Sequence, residues 1–389
     1  MTSSQIQFID TPDAVAALAE TLSGAPWIAI DTEFLRERTY RPELCLLQIA
    51  TGGPDNIVAC IDPLAVDNIE PVLDVIYEPA TLKVLHAAGQ DLEIFYWLRG
   101  AVPHNLFDTQ VAAPLMGFAE QIGYGNLVNE VLKVELSKSH SRADWSRRPL
   151  PAKQLQYAAD DVIYLSQMYP VMRNKLKQLG RLDWLDQEWI DMTRPEIYEK
   201  PADEMWKRLR HIEKLKGPRL SIAQQLASWR ELTARTENLP RNWLMKDETI
   251  TDLAKQMPDD LDELKHVRGL STGTIKHHGQ TLVDTINRAR EIPPEKLPVP
   301  KRKSKLTPAQ DAALDALTAV TRLYANDLEI NASILAPRKS LEDLLRGDRD
   351  TNIITQGWRG NLIGDALCNM LDGKSTLSFD QGELSLHPQ

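Results

Sequence analysis

Cysteine is scarce in this 389-residue chain, and the three present, Cys45, Cys60 and Cys368, form no CxxC pair. This usage argues against a disulfide framework and a zinc knuckle, and it is typical of a reducing compartment. No apolar run approaches the roughly 20 residues that span a bilayer. The first residues lack the basic segment and apolar stretch of a secretory signal. We therefore expect a soluble, cytoplasmic protein without a membrane partner.

Positive charge is also in short supply, since 45 Lys and Arg face 55 Asp and Glu and give a net charge of -10. Nucleic-acid-binding proteins usually present a basic face to phosphates, so this balance argues mildly against one. A site that holds divalent cations on carboxylates is acidic in sequence, yet it attracts phosphates once the metal is bound. The net charge therefore leaves nucleic-acid binding open.

The length suggests two or three domains, and the pattern changes near residue 200. Before that point strand-like and helical stretches alternate, which predicts an α/β domain with a mixed sheet over residues 1–195. A GGPD turn is expected to join two of the strands as a hairpin. The predicted strands are 27–33, 44–51, 56–62 and 82–87, and the predicted helices are 91–98, 107–117 and 153–180.

Strand signals vanish after residue 200, and two helical segments follow, residues 205–292 and 308–380. A Pro-rich and Lys-rich stretch, residues 293–307, reads as the linker between them. Both segments have a long first helix, a short helix opened by Ser or Thr, and a Gly-containing turn into the last helix. This order predicts a diverged tandem repeat of two small all-α domains, helical through residue 378.

The stretch IAIDTEFLR, residues 28–36, ends an apolar strand with two carboxylates. Asp31 and Glu33 are two positions apart, so both side chains point to one face of the strand. Like charges this close repel and raise each other's pKa. A positive group is therefore expected between them, although a turn cap is a simpler role for Asp31.

Two further acids stand out by position. Asp91 lies where a strand gives way to a helix, the end of an α/β sheet where ligands bind. Asp161 follows Tyr157 by four residues, which puts both on one largely apolar helix face, where an acid needs a partner or a metal. The simpler alternatives are a helix cap for Asp91 and a solvent-edge position for Asp161. For Tyr157 the alternative is core packing.

The joint occurrence of four carboxylates favours a metal site over these separate alternatives. Mg²⁺ and Mn²⁺ are hard cations that prefer oxygen ligands. Two such ions about 3.5–4 Å apart stabilise the attacking and leaving oxygens of a phosphoryl displacement. Charges that converge on bound dications would explain why a buried strand ends in two acids.

Five segments resemble, in order, the motifs of the DEDD 3′–5′ exonucleases, and within them the bacterial ribonuclease D family. They are DTEFLRERTYRPELCLLQIA, VLHAAGQDLEIF, FDTQVAAPLMG, KSHSRADWSRRPL and YAADDVIYL. The helical segments resemble the HRDC domains (helicase and RNase D C-terminal) that follow the nuclease in this family. The resemblance implies an RNase H-like exonuclease core, a mixed sheet with flanking helices, followed by two HRDC domains.

The resemblance also implies roles for individual residues. Tyr157 matches the tyrosine that orients the attacking water, and Gln156 stands where a sister subclass has a histidine. A tyrosine with an ordinary pKa near 10 is a poor base at neutral pH, so we expect a metal to lower the pKa of the water while the hydroxyl positions it. The implied ligands of the two metal ions are Asp31, Glu33, Asp91 and Asp161.

Basic residues near these motifs are candidate contacts to the RNA backbone. One group lies in a loop just before the Tyr157 helix, and one lysine lies in the Gly-bearing turn of the first helical segment. A solvated loop with charges of both signs is the alternative. The candidates are Lys138, Arg142, Arg147, Arg148 and Lys276.

These observations favour a metal-dependent, monomeric 3′–5′ exoribonuclease that releases 5′-nucleoside monophosphates. The family implies tRNA precursors and other small structured RNAs as substrates. A DNA 3′–5′ exonuclease is an alternative, because recognition of the 2′-OH cannot be read from one sequence. An inactive nucleic-acid-binding scaffold is another, but such relatives usually lose one of the acids, and here all four and the tyrosine are present.

Overall fold

A six-stranded mixed sheet forms the amino-terminal half of the computed structural model, which describes residues 6–53, 56–136, 143–293 and 305–389. The strands are β1 (Ile6–Ile9), β2 (Trp27–Leu35), β3 (Glu43–Ala50), β4 (Val58–Ile61), β5 (Leu82–Leu85) and β6 (Leu106–Asp108). Their order across the sheet is β1-β4-β3-β2-β5-β6. Strand β3 is antiparallel to both neighbours and the other pairs are parallel, so the predicted mixed sheet and β3–β4 hairpin are confirmed.

Helices cover both faces of this sheet, which is why β3 is apolar along nearly its whole length and seven of its eight residues are buried. Alternate side chains of β2 point to opposite faces of the sheet and pack against different helices. Ile28 and Ile30 pack in one hydrophobic cluster with α1, α2 and α3, while Ala29 packs in the other with α6. The helices are α1 (Pro12–Leu22), α2 (Glu70–Tyr77), α3 (Gly89–Arg99), α4 (Thr109–Ala112), α5 (Tyr124–Leu132), α6 (Ala152–Gln178), α7 (Leu185–Met192) and α8 (Pro195–Tyr198).

The helix predicted over residues 107–117 was placed too early. Phe107 and Asp108 belong to β6, which pairs with β5, and α4 begins at Thr109. The carboxylate of Asp108 accepts hydrogen bonds from the backbone N–H groups of Gln110 and Val111, and this cap sets the helix start. A three-residue strand is too short to show alternation in the sequence.

The first helical region has a hydrophobic core of its own. Short 3₁₀ turns at Ala202–Arg208 and Ile212–Lys214 lead into it and contribute buried residues to that core. Its helices are α9 (Pro218–Thr236), α10 (Arg241–Leu244), α11 (Asp247–Gln256), α12 (Leu261–Leu264) and α13 (Thr272–Arg290).

The second helical region repeats the order of a long helix, a one-turn helix and a short helix before its last turns. Unlike the first region, it shares one hydrophobic cluster with the α6 face of the sheet. Trp184 and Trp358 stack with their ring centroids 4.5 Å apart at this junction. Its helices are α14 (Pro308–Asp327), α15 (Ala332–Leu335), α16 (Arg338–Leu345), α17 (Gly357–Arg359) and α18 (Asp365–Leu371). The domain limits given above remain predictions.

The chain ends in a β-hairpin, so the expectation of helix through residue 378 was wrong. Strands β7 (Ser375–Asp380) and β8 (Glu383–Pro388) pair antiparallel. Gln381 and Gly382 both have positive φ, 48° and 91°, as a tight hairpin turn requires. The alternation of polar residues with Leu and Phe over residues 375–386 was a readable strand signal. Within the residues described here, no helix has both the length and the apolarity to cross a membrane.

Candidate active site

The end of β2 stands at an opening in the sheet. Strand β5 pairs with β2 only from Trp27 to Ala29, whereas the pairing of β2 with β3 continues to Leu35. The far end of β2 therefore lacks a neighbour on its β5 side, and ligands bind in such crevices of α/β sheets. Asp31 and Glu33 lie on this free end, on the face that α6 covers, because they alternate in phase with Ala29.

Three carboxylates meet in this opening. Oxygens of Asp31, Glu33 and Asp161 all lie within 4.8 Å of one another, the first two from β2 and the third from α6. Oxygens bound to one Mg²⁺ at about 2.1 Å lie up to about 4.2 Å apart. The three side chains are therefore close to the spacing that a shared cation requires, and their oxygen-only donor set suits a hard ion.

Asp91 reaches the same cleft from the opposite layer. It lies in the first turn of α3, is buried, and accepts a hydrogen bond from the hydroxyl of Thr32. Thr32 points to the opposite face of β2 from Asp31 and Glu33, yet the charge of Asp91 still raises the pKa of both. The residue that caps α3 is Ala88, which argues against the simpler helix-cap role for Asp91.

Burial and repulsion from neighbouring acids raise the pKa of all four carboxyl groups. Burial is the largest cause in each case, and it raises the pKa of Glu33 to about 8 and those of Asp91 and Asp161 to about 7. The pKa of Asp31 rises well above its usual range because Asp161, Asp91 and Glu33 add to the effect of burial. A bound dication would supply the opposite charge that keeps these groups ionised at neutral pH.

The cleft around these acids has a volume of about 1140 Å³, comparable to pockets that hold small ligands. Among its described lining residues, Lys153 is the one lysine or arginine. The acids in the lining are Asp31, Glu33, Asp91, Glu135, Asp160 and Asp161. This imbalance of charge leaves the cleft fit for cations rather than for a bare phosphate.

Tyr157 lies one helical turn before Asp161 and lines the cleft. Burial, followed by repulsion from Asp161, Glu33 and Asp31, raises its pKa to about 12. Its hydroxyl is therefore protonated at neutral pH and can donate a hydrogen bond. The structure places it beside the three-acid group, with its ring 6.4 Å from that of Trp145.

Two residues that the sequence reasoning missed support Asp161 and Asp31. The hydroxyl of Tyr124 donates to the backbone carbonyl of Asp161, which fixes this turn of α6. Gln48 lies opposite Asp31 on β3, is fully buried, and neither amide atom has a hydrogen-bond partner among the described residues. A buried amide without partners is costly, so a hydrated ion or water beneath Asp31 would satisfy it. Gln48 is the one polar residue in the buried run of β3, which was a readable signal.

His86 also lines the cleft. Its Nδ1 atom lies 2.9 Å from the hydroxyl of Thr109, and its ring meets that of Tyr124 edge to face with centroids 5.4 Å apart. Its Nε2 atom is buried and has no partner in the part of the chain that the structure describes. Burial lowers the pKa of His86, so the ring is neutral at pH 7.

The structure contradicts the predicted RNA contact at Arg148. All five of its N–H groups have acceptors in the protein: Asp62 takes two of them, and the carbonyls of Cys45, Trp145 and Arg147 take the others. Asp62 is buried, and this ion pair lowers its pKa against the effect of burial. Arg148 therefore has no donor left for a phosphate, and its role is to hold the loop before α6 against the β3–β4 hairpin.

The other predicted RNA contacts divide into two groups. Arg147 is exposed in the same loop, and Lys276 is exposed on α13, in the first helical region and outside the active-site cleft. Lys138 and Arg142 lie outside the described residues. The four acids and Tyr157 are thus brought to one cleft, whereas Lys276 is not.

Comparisons with known proteins agree with this architecture. The family model described as 3′–5′ exonuclease matches residues 6–177, and the HRDC domain model matches residues 219–286. Ribonuclease D of Zymomonas mobilis is 39% identical over 96% of this chain and 95% of its own length. Ribonuclease D of Sphingobium indicum is 39% identical over 96% of each chain.

A solved structure gives the same result in three dimensions. The crystal structure of Escherichia coli RNase D, an exoribonuclease involved in structured RNA processing, matches with a TM-score of 0.84 and 33% identity. The match covers 95% of this chain and 99% of that one, so it includes the sheet and both helical regions. With relatives this similar over nearly their full lengths, the chain belongs to the ribonuclease D family.

Proposed function

We propose that this protein is a metal-dependent 3′–5′ exoribonuclease that removes nucleotides one at a time from RNA and releases 5′-nucleoside monophosphates. The observation that carries the proposal is the group of three carboxylate oxygens within 4.8 Å at the open end of β2. Membership of the ribonuclease D family supports RNA as the substrate, and the E. coli relative acts on structured RNA. We extend this to the 3′ ends of tRNA precursors, with the protein acting as a cytoplasmic monomer.

The proposed chemistry divides between the acids and the tyrosine. Asp31, Glu33, Asp91 and Asp161 would hold two Mg²⁺ or Mn²⁺ ions. When bound, such ions lower the pKa of a water and stabilise the charge that develops on the scissile phosphate. Tyr157 would hold that water by a hydrogen bond from its hydroxyl, which a pKa of about 12 keeps protonated at neutral pH.

The behaviour of single-stranded RNA and DNA 12-mers with the same 5′ label tests the assignment. With Mg²⁺ we expect the RNA to shorten in single-nucleotide steps from its 3′ end, with 5′-monophosphates as products, and the DNA to be degraded at least about tenfold more slowly. Labelled mononucleotide at the earliest times would mean the opposite polarity. Equal rates on both polymers would replace the proposal with a general 3′–5′ exonuclease.

Tyr157→Phe is expected to lower kcat about 100-fold with little change in KM, because the hydroxyl acts on the water rather than on RNA binding. Single-turnover degradation of the RNA 12-mer measures the effect. Tyr164→Phe removes the equivalent hydroxyl two turns along the same helix, away from the cleft lining, and is the matched control. A Tyr157→Phe enzyme within threefold of wild type would remove the tyrosine from the mechanism.

A further inference from the structure

A second cleft, of about 610 Å³, lies between the α/β domain and the first helical region. Four parts of the chain form its walls: the loop after β2, Glu93 on α3, the segment from α8 into the 3₁₀ turn, and the stretch from α9 to the start of α11. Contacts across the domain junction hold it together, since the hydroxyl of Tyr40 donates to Glu231 at 2.5 Å and the backbone N–H of Tyr40 donates to the carbonyl of Asn238 at 3.2 Å.

The second cleft is rich in positive charge although the chain as a whole carries -10. Five basic side chains line it against three carboxylates. The basic residues are Arg36, Lys200, Arg208, Arg230 and Arg241, and the acids are Glu93, Glu231 and Asp247. A local excess of cations in an acidic protein needs a reason, and an anionic ligand supplies one.

All three carboxylates of the second cleft are already paired. Glu93 accepts two hydrogen bonds from the guanidinium of Arg36. Glu231 lies 2.9 Å from a guanidinium nitrogen of Arg235 and 3.3 Å from one of Arg241. Asp247 is paired with Arg230 at 2.8 Å. Each acid thus forms its ion pairs with cations other than Lys200 and Arg208.

Lys200 and Arg208 are those remaining cations. Neither has a carboxylate within ion-pair distance among the described residues. Burial, and then repulsion from Arg208 and Arg241, lowers the pKa of Lys200, and attraction from Glu93 and Glu231 offsets only part of this effect. A phosphate between them would relieve this repulsion.

Arg230 adds a donor without a partner. Its side chain is 6% exposed, and its Nε–H has no hydrogen-bond acceptor in the described part of the chain. An unsatisfied buried donor of a charged group is costly. The Nε–H is enclosed by protein, so Arg230 adds its charge to the cleft wall rather than a direct contact from the open cleft.

The second cleft continues the elements that build the active site. On β2 and its loop, Arg36 follows Glu33 by three residues, about 10 Å of extended chain, and on α3 Glu93 follows Asp91 by two. This continuity favours a single strand that also reaches the active site over a free anion.

We propose that the second cleft binds a backbone phosphate of the substrate strand upstream of its 3′ end, through Lys200 and Arg208. This inference rests on the proposed function only in taking RNA as the ligand. The HRDC region would then act with the nuclease domain as one binding surface, and it would hold the strand while its 3′ end lies in the active-site cleft.

Fluorescence anisotropy of a 5′-fluorescein RNA 12-mer in EDTA tests the proposal without any turnover, so a failure of the proposed nuclease activity leaves the test readable. For the full-length double variant Lys200→Ala/Arg208→Ala we expect at least a tenfold rise in Kd at low salt. The slope of log Kd against log[salt] should fall by about 0.7, since each neutralised phosphate of a single strand contributes about that much. Lys175→Ala/Lys177→Ala removes two exposed charges at the end of α6 and is the matched control.

Three results would overturn the proposal. An unchanged Kd and salt slope would mean that the two cations only stabilise the contact between the domains. A lower melting temperature without loss of affinity would lead to the same conclusion. An equal loss of affinity for a dinucleotide and the 12-mer would exclude a contact upstream of the 3′ end. A third result concerns competition for the labelled RNA. If 10 mM inorganic phosphate displaced it from the wild-type protein as well as unlabelled RNA at the same phosphate concentration, the cleft would be a free-anion site.

Discussion

Asp31→Asn is expected to lower kcat for RNA degradation by on the order of 10³-fold or more. Asp31 is the acid whose pKa responds to all three of the others, which places it at the centre of the cluster. Its amide replacement keeps the shape of the side chain but removes one negative charge and one strong oxygen ligand. The loss should lie in kcat rather than in RNA affinity, because the substrate strand binds largely outside this group.

The same substitution is expected to stabilise the metal-free protein. The four acids repel one another at the end of β2, so removing one charge should raise the melting temperature in EDTA by about 2–4 °C for each kcal/mol of repulsion relieved. In Mg²⁺ the order should reverse, since the variant binds the ion less well. A variant with lower stability in both conditions would point to misfolding and would not test catalysis.

Asp160→Asn is the matched control for this experiment. Asp160 is adjacent to Asp161 and lines the same cleft, but its carboxylate accepts a hydrogen bond from the Gln156 side chain at 2.8 Å, and Asp160 is not a member of the three-acid group. We expect its activity to fall less than tenfold. A larger loss for Asp160→Asn than for Asp161→Asn would mean that the ligand on α6 had been assigned to the wrong acid.

Periodicity was sufficient to predict the parts of the site that lie on one element. Alternation along β2 places Asp31 and Glu33 on one face, and the spacing of four residues on α6 places Tyr157 beside Asp161. From the α/β pattern we could only expect that β2 and α6 meet and that Asp91 approaches from the other face of the sheet. The distances between the side chains required the three-dimensional structure.

Contacts between distant segments could not be read in this way. Arg148 looked like a free cation in a basic loop, because its partner Asp62 lies 86 residues earlier in the chain. The second cleft combines segments near residues 36, 200 and 240, and no local pattern connects them. Short strands such as β1 and β6 could not be predicted for a different reason, since three or four residues are too few to show periodicity.

Removal of divalent ions with EDTA is expected to abolish RNA degradation and to leave a protein whose stability falls as the pH rises. The pKa is about 8 for Glu33 and about 7 for Asp91 and Asp161 in the folded state, against about 4 in the unfolded chain. Between about pH 4.5 and 8 the folded state therefore holds protons that the unfolded state has lost. In the metal-free protein the free energy of unfolding therefore decreases as the pH rises. The stabilising contribution of these carboxyl groups is complete below pH 4 and is lost by about pH 8.

Mg²⁺ should reverse this trend, because a metal binds only the ionised carboxylates and competes with protons. At a concentration 100 times its Kd, the ion adds about 2.7 kcal/mol to the free energy of unfolding at pH 8, and it should add little at pH 5. Melting curves from pH 5 to 9, with and without Mg²⁺, measure the difference, and NaCl at the same ionic strength controls for general screening of charge. If Mg²⁺ raised the melting temperature equally at pH 5 and pH 8, its binding could not depend on these carboxylates. Retention of exonuclease activity in EDTA would lead to the same conclusion for catalysis, since the acids would then act without a metal between them.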